Sequence, residues 1–135
     1  MKRFALAAFL IAIPSGLSHA ESARINYMLH CQGCHLADGS GKPGSVPSLV
    51  DSIGRFARVP GGREYLVRVP GSSQSPLSDE ELARVLNYMI RSFGPADAAA
   101  DLRPFDAAEV TQVRRPPLSE TESLRRALLA AMEPR

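Results

Sequence analysis

A chain of 135 residues has room for about one domain. Its 16 basic and 14 acidic residues leave a formal charge of only +2, too small an excess to draw in a polyanion. Even that excess sits at the start, in Lys2 and Arg3. Without residues 1–20 the balance is 14 against 14, so no nucleic-acid partner is expected. Of the basic residues that follow, Lys42 is the one lysine. Dispersed arginines are usual as solvated surface groups or as partners of carboxylates.

The first segment in chain order reads as an export signal. Lys2 and Arg3 precede the apolar run Phe4 to Ile13, which Pro14 and Gly16 break, and Ser18-His19-Ala20 has the small residues of a cleavage site. A secretory signal is therefore expected over 1–20, removed after Ala20. Ten apolar residues fall short of the ~20 a spanning helix requires. No later run reaches that length, so no membrane span is expected after signal removal, and the destination is the periplasm.

Next comes Cys31-Gln32-Gly33-Cys34-His35, the C-x-x-C-H pattern of covalent haem attachment. Thiols three apart on one helical turn can reach the two vinyl groups of one haem, and the following imidazole can ligate its iron. Other uses of two cysteines fit less well. A thioredoxin-like pair requires a βαβ setting, and strand-rich segments are missing. Structural zinc usually takes four ligands, whereas His30 is the one further imidazole nearby. A disulfide across two residues would leave His35 without a role. The expected cofactor is one covalent haem c on Cys31 and Cys34, with His35 as proximal ligand.

Asp38-Gly39-Ser40-Gly41-Lys42 departs from the phosphate-loop pattern G-x-x-x-x-G-K-[ST], because Pro43 follows Lys42 and the spacing before it fails. Beyond it, Leu49 to Ala57 can form a short helix, and Gly61 to Arg68 another between Pro60 and Pro70. Ser78 and Glu81 form a capping box. Leu82, Val85, Leu86 and Met89 then recur with helical period until Gly94-Pro95. Two further short helices are expected near Asp106 to Arg114 and Ser119 to Met132, the second opened by a Ser119–Glu122 capping box. Pro116-Pro117 allows this tail to be a mobile arm or to pack back on the domain. No G-x-S-x-G elbow or other catalytic constellation occurs, so no catalytic residue is assigned.

Over about Ala23 to Phe93 the chain resembles the class I c-type cytochromes. The resemblance rests on Ala23-x-x-x-Tyr27-x-x-x-Cys31, the haem motif with the glycine-rich stretch after it, Gly44-Ser45-Val46-Pro47-Ser48-Leu49, and the helix opened by Ser78. It implies an all-α cytochrome c fold over 21–94, with 95–135 as a helical extension and Tyr27 and Tyr88 near the crossing of the first and last helices. It also implies that the Pro47 carbonyl accepts a hydrogen bond from His35, which favours ferric iron. Arg55, Arg63 and Arg68 become candidate partners of haem propionates.

The resemblance breaks at the sixth ligand, since Leu66 to Leu77 lacks the methionine the family carries there. Met89 is the candidate distal ligand, ahead of Met28, Met132, His30 and Lys42. The function implied is single-electron transfer between periplasmic redox partners, without enzyme activity. A vacant sixth position would instead suit a haem enzyme subunit reducing peroxide or a nitrogen oxide, or a gas sensor. The runs Val59 to Gly71 and Leu86 to Met89 are similar to small cytochromes that accompany periplasmic dehydrogenases, so a dehydrogenase is a candidate donor.

Overall fold

The computed structural model describes residues 16–133. The expected signal lies mainly outside the described residues, and α1 (Gly16–His30) begins within its last part. There follow α2 (Gln32–His35), α3 (Ile53–Arg58), α4 (Gly62–Arg68), α5 (Pro70–Ser73) and α6 (Asp79–Phe93). The tail holds α7 (Ala98–Asp101), α8 (Ala107–Val113) and α9 (Thr121–Met132). No strand occurs among the described residues. A lone antiparallel bridge joins Lys42 to Val46.

Helix α6 is the axis of the core. Its first turn is closed as the sequence implies: the Glu81 amide donates to Ser78 Oγ at 3.2 Å, and the Ser78 amide donates to Glu81 Oε2 at 2.8 Å. Three acidic residues at this positive end of the helix dipole add to the cap. The apolar stripe Leu82, Val85, Leu86 and Met89 is buried, and Gly94 ends the helix. Burying each of these side chains contributes roughly 1.5–3 kcal/mol.

Helix α1 crosses α6 through aromatic rings. Ala23 and Tyr27 are buried on its inner face, with the Tyr27 ring 5.6 Å from Tyr88 and 5.1 Å from Phe93 between centroids. A hydroxyl in such a place must find a partner. Tyr27 donates to the Leu36 carbonyl at 2.6 Å, and burial above all pushes its pKa up to about 12, so it stays a neutral donor. Leu36 itself sits at φ 61°, rare for a side chain with a Cβ. The Tyr27 bond thus steadies the strained exit from the haem motif.

The tail packs back on the domain and is not a free arm. Phe105, Val110 and Leu128 join the core cluster. Asn87 of α6 clamps Phe105 twice, donating to its carbonyl and accepting from its amide, both at 2.8 Å. Beyond Pro116-Pro117 the Leu118 amide donates to the Arg68 carbonyl at 3.0 Å. The segment contains α7 besides the two helices expected. The Ser119–Glu122 capping box does not form: α9 starts at Thr121 with Glu120 as N-cap and no side-chain cap. The Leu118 bond sets where the chain can turn into the helix, and Ser119 falls one residue too early.

Candidate functional site

The haem motif begins where α1 ends. The Cys31 amide still donates to Tyr27 at 2.9 Å, and the His35 amide donates to the Cys31 carbonyl at 3.0 Å, so the motif continues as the single turn α2. One turn puts both thiols and the imidazole on the wall of one cleft of about 240 Å³. Cys34 is exposed, Cys31 is partly buried, and both are free thiols. Burial first, and then the Cys34 thiol, push the Cys31 pKa up to about 11. A redox-active pair depends on a depressed thiolate, so this thiol is poorly suited to disulfide exchange. Among the described residues no three His, Cys, Asp or Glu side chains gather to hold a metal ion.

The loop after α2 carries Pro47 to His35. Gly41, at φ +71°, lies so close to the backbone of Val46 and Pro47 that a Cβ there would stand 2.5 Å from the Val46 carbonyl oxygen. Only glycine allows that approach, and the Lys42–Val46 bridge and the Leu49 amide bond to Gly39, 2.8 Å, close the loop over it. Burial lowers the His35 pKa and keeps the imidazole neutral, the form that ligates a metal. The nearby Pro47 carbonyl acts in the opposite direction. That contact is looser than a well-formed hydrogen bond, for His35 Nδ1 is buried with no partner of good geometry. A half-buried imidazole whose enclosed Nδ1 faces a carbonyl is the arrangement that a metal bond at the other nitrogen would complete.

The remaining walls are mostly apolar. Ile53 and Phe56 come from α3, Tyr65 and Leu66 from α4, and Leu86 and Met89 from α6. Val69, Gly71 and Ser72 line the cleft from the connection that precedes α6. Among the lining residues, Met89 is the sole thioether and His30 the sole imidazole besides His35. Met28 is 45% exposed on α1, and neither it, Met132 nor Lys42 lines the cleft. The cleft thus brings together Cys31, Cys34, His35, Pro47 and Met89, five of the candidates the sequence offers.

The arginines do not behave as the sequence suggests. Arg63 is held by Glu109 through two 2.6 Å bonds, with its guanidinium 3.8 Å above the Phe105 ring. Arg68 binds Glu64 and the Pro116 carbonyl. Neither these two nor Arg55 lines the cleft. The guanidinium that does belongs to Arg125, on α9 beside Thr121. No signal in the sequence marks these two, because their place depends on how the tail docks.

An all-α frame with a C-x-x-C-H turn at an apolar cleft defines a c-type cytochrome. No family model matches the chain. It is 34% identical to a cytochrome c-552 of Thermus thermophilus over 142 aligned positions, covering 92% of this chain and 94% of the relative. A second cytochrome c-552 of the same species is 33% identical over 123 positions, covering 78% of this chain and 92% of that protein. The chain belongs to the class I c-type cytochromes, and it is an electron carrier. Among the described residues no helix is long and apolar enough to cross a membrane.

Proposed function

We propose that this cytochrome carries one haem, bound by thioethers at Cys31 and Cys34 and ligated by His35, and passes single electrons between periplasmic redox proteins. The observation that carries the reading is the shared cleft: two free thiols, a neutral half-buried imidazole and a buried thioether line one mostly apolar space. A haem bound there supplies a one-electron iron couple. The chain's own part is to hold and tune it. His35 would offer one nitrogen to the iron while the Pro47 carbonyl, which faces the other, would accept a hydrogen bond from it, making the ligating nitrogen more basic and lowering the potential. Met89 would supply the second side-chain ligand to the iron, and the apolar walls would exclude water.

Support for Met89 comes by comparison of the lining groups. His30 lies at the end of α1 next to the attachment turn, whereas Met89 lines the cleft from a different helix, independent of the motif. The donor is a redox protein, with a periplasmic dehydrogenase as the first candidate on sequence resemblance. No catalytic residue enters this reading.

Two measurements test it. The mass of the matured protein should equal the chain, processed after Ala20, plus one haem, and Cys31→Ala/Cys34→Ala should abolish the addition. Absorption spectra should show a low-spin ferric form with a sulfur-to-iron band that Met89→Ala removes. A high-spin wild type unchanged by Met89→Ala would overturn the assignment of the sixth ligand.

A further inference from the structure

The cleft holds a group that the electron-carrier reading does not use. Arg125 is the one guanidinium on its wall, and no carboxylate lines that wall to neutralise it. Seven other arginines, at 58, 63, 68, 84, 103, 114 and 126, pair with carboxylates. Arg125 forms no such ion pair among the described residues.

Its neighbours fix it at the cleft without satisfying it. The guanidinium lies 5.7 Å from the centroid of Phe56, whose ring stacks on Tyr65 at 5.2 Å. Arg125 is close enough to Tyr65 for its charge to oppose the rise that burial imposes on that phenol, while Glu122, which pairs with Arg126 at 4.0 Å, adds to that rise. Thr121, four residues earlier and on the same helical face, also lines the cleft, at the uncapped first turn of α9. A cation and a hydroxyl-bearing residue side by side at the edge of an otherwise apolar space make a receptor for one carboxylate on a largely apolar ligand.

We propose that Arg125, assisted by Thr121, receives a propionate carboxylate of the haem, so that the C-terminal helix α9 is part of the cofactor site. The inference rests on the reading that the cleft binds haem. Neutralising that carboxylate raises the potential, because an uncompensated negative charge beside the iron favours the oxidised form. The tail therefore tunes the electron carrier besides packing against it.

The test compares the reduction potentials of the haem-loaded wild type, Arg125→Gln, Arg125→Lys and Arg91→Gln by spectroelectrochemistry at fixed pH and salt. Arg91 is exposed near the end of α6 and does not line the cleft, so its substitution changes net charge equally. Arg125→Gln should shift the reduction equilibrium toward the oxidised form by up to about tenfold, or 59 mV for one electron. Arg125→Lys should recover part of the shift and Arg91→Gln should show little. Equal shifts in Arg125→Gln and Arg91→Gln, or no shift in Arg125→Gln, would overturn the proposal. Should Arg125→Gln fail to accumulate, Arg125→Lys with an unchanged potential and unchanged salt dependence would overturn it, whereas a partial fall would support it. Haem content, measured first by mass on the wild type, separates the two ideas: a wild type without haem overturns the reading of the cleft itself.

Discussion

Arg114→Ala should be among the most damaging single changes outside the haem motif. Arg114 is 7% exposed and its guanidinium joins the end of α8 to the chain between α5 and α6. It donates to Asp79 Oδ1 at 2.7 Å and to the carbonyls of Leu77 and Ser75 at 2.8 Å and Ser73 at 3.1 Å. Its own carbonyl accepts from the buried Ser73 hydroxyl at 2.6 Å. Removing one partner of a buried ion pair costs ~3–5 kcal/mol. The Asp79 side chain is 32% exposed, so water can reach the abandoned carboxylate, and the expected loss is about 3 kcal/mol, at the low end of that range. Urea denaturation of the haem-loaded protein, followed by circular dichroism, should show a lower midpoint at unchanged slope, with the melting temperature about 10 °C lower. Arg114→Lys should recover little, because an ammonium cannot fork among several carbonyls. A loss below about 1 kcal/mol in Arg114→Ala would refute the argument, since that is the size expected of an exposed ion pair.

Ser78→Ala removes a complete capping box and should cost about 1 kcal/mol, read as a shift in urea midpoint without change in the haem spectrum. Gly62→Ala should prevent stable folding, because a Cβ at that position would run into the Phe56 carbonyl and force α3 and α4 apart; recovery of protein with wild-type stability would contradict it. Asp79 and Glu109 are held below the usual carboxylate range, chiefly by hydrogen bonds from Arg114 and Arg63. Groups whose folded pKa is depressed stabilise the fold above their unfolded pKa of about 4, and lose that contribution as pH falls through the folded values. The urea midpoint should therefore drop below pH 4, and Arg63→Gln should flatten the acid limb. Finally, Cys31→Ala/Cys34→Ala should leave a chain with reduced helix content and no cooperative melt, and full helicity with a sharp transition would count against a haem-dependent core.

Legibility in the sequence followed the range of the interactions. The Ser78 cap, the apolar period of α6 and the stop at Gly94 depend on residues within one or two turns, and all three were readable. The haem motif was readable for the same reason, as one turn carries all its reactive groups. The Ser119–Glu122 box has an equally good local pattern and failed, because the Leu118 amide is committed to the Arg68 carbonyl 50 residues earlier in the chain. Arg63 illustrates the same point: its partner Glu109 is 46 residues away, and nothing near Arg63 announces it. Arg125 was illegible because its position at the cleft requires α9 to dock on α3 and α4.

The connection before α6, which lacks a methionine, depends on the tail for its place. Between the end of α4 and the start of α6 the chain has only residues 69–78, which are short and rich in serine, glycine and proline, and they line the cleft with Val69, Gly71 and Ser72. Such a stretch has few apolar side chains with which to hold itself in place. Arg114 of the tail supplies the hold by binding five of its carbonyl and hydroxyl oxygens. Farther along, Thr121 and Arg125 complete the cleft wall directly. The segment after Phe93 thus holds the connection before α6 and supplies part of the cleft wall. Cutting the chain after Arg115 should therefore expose the cleft to water and alter the haem spectrum, even where α1 and α6 stay packed.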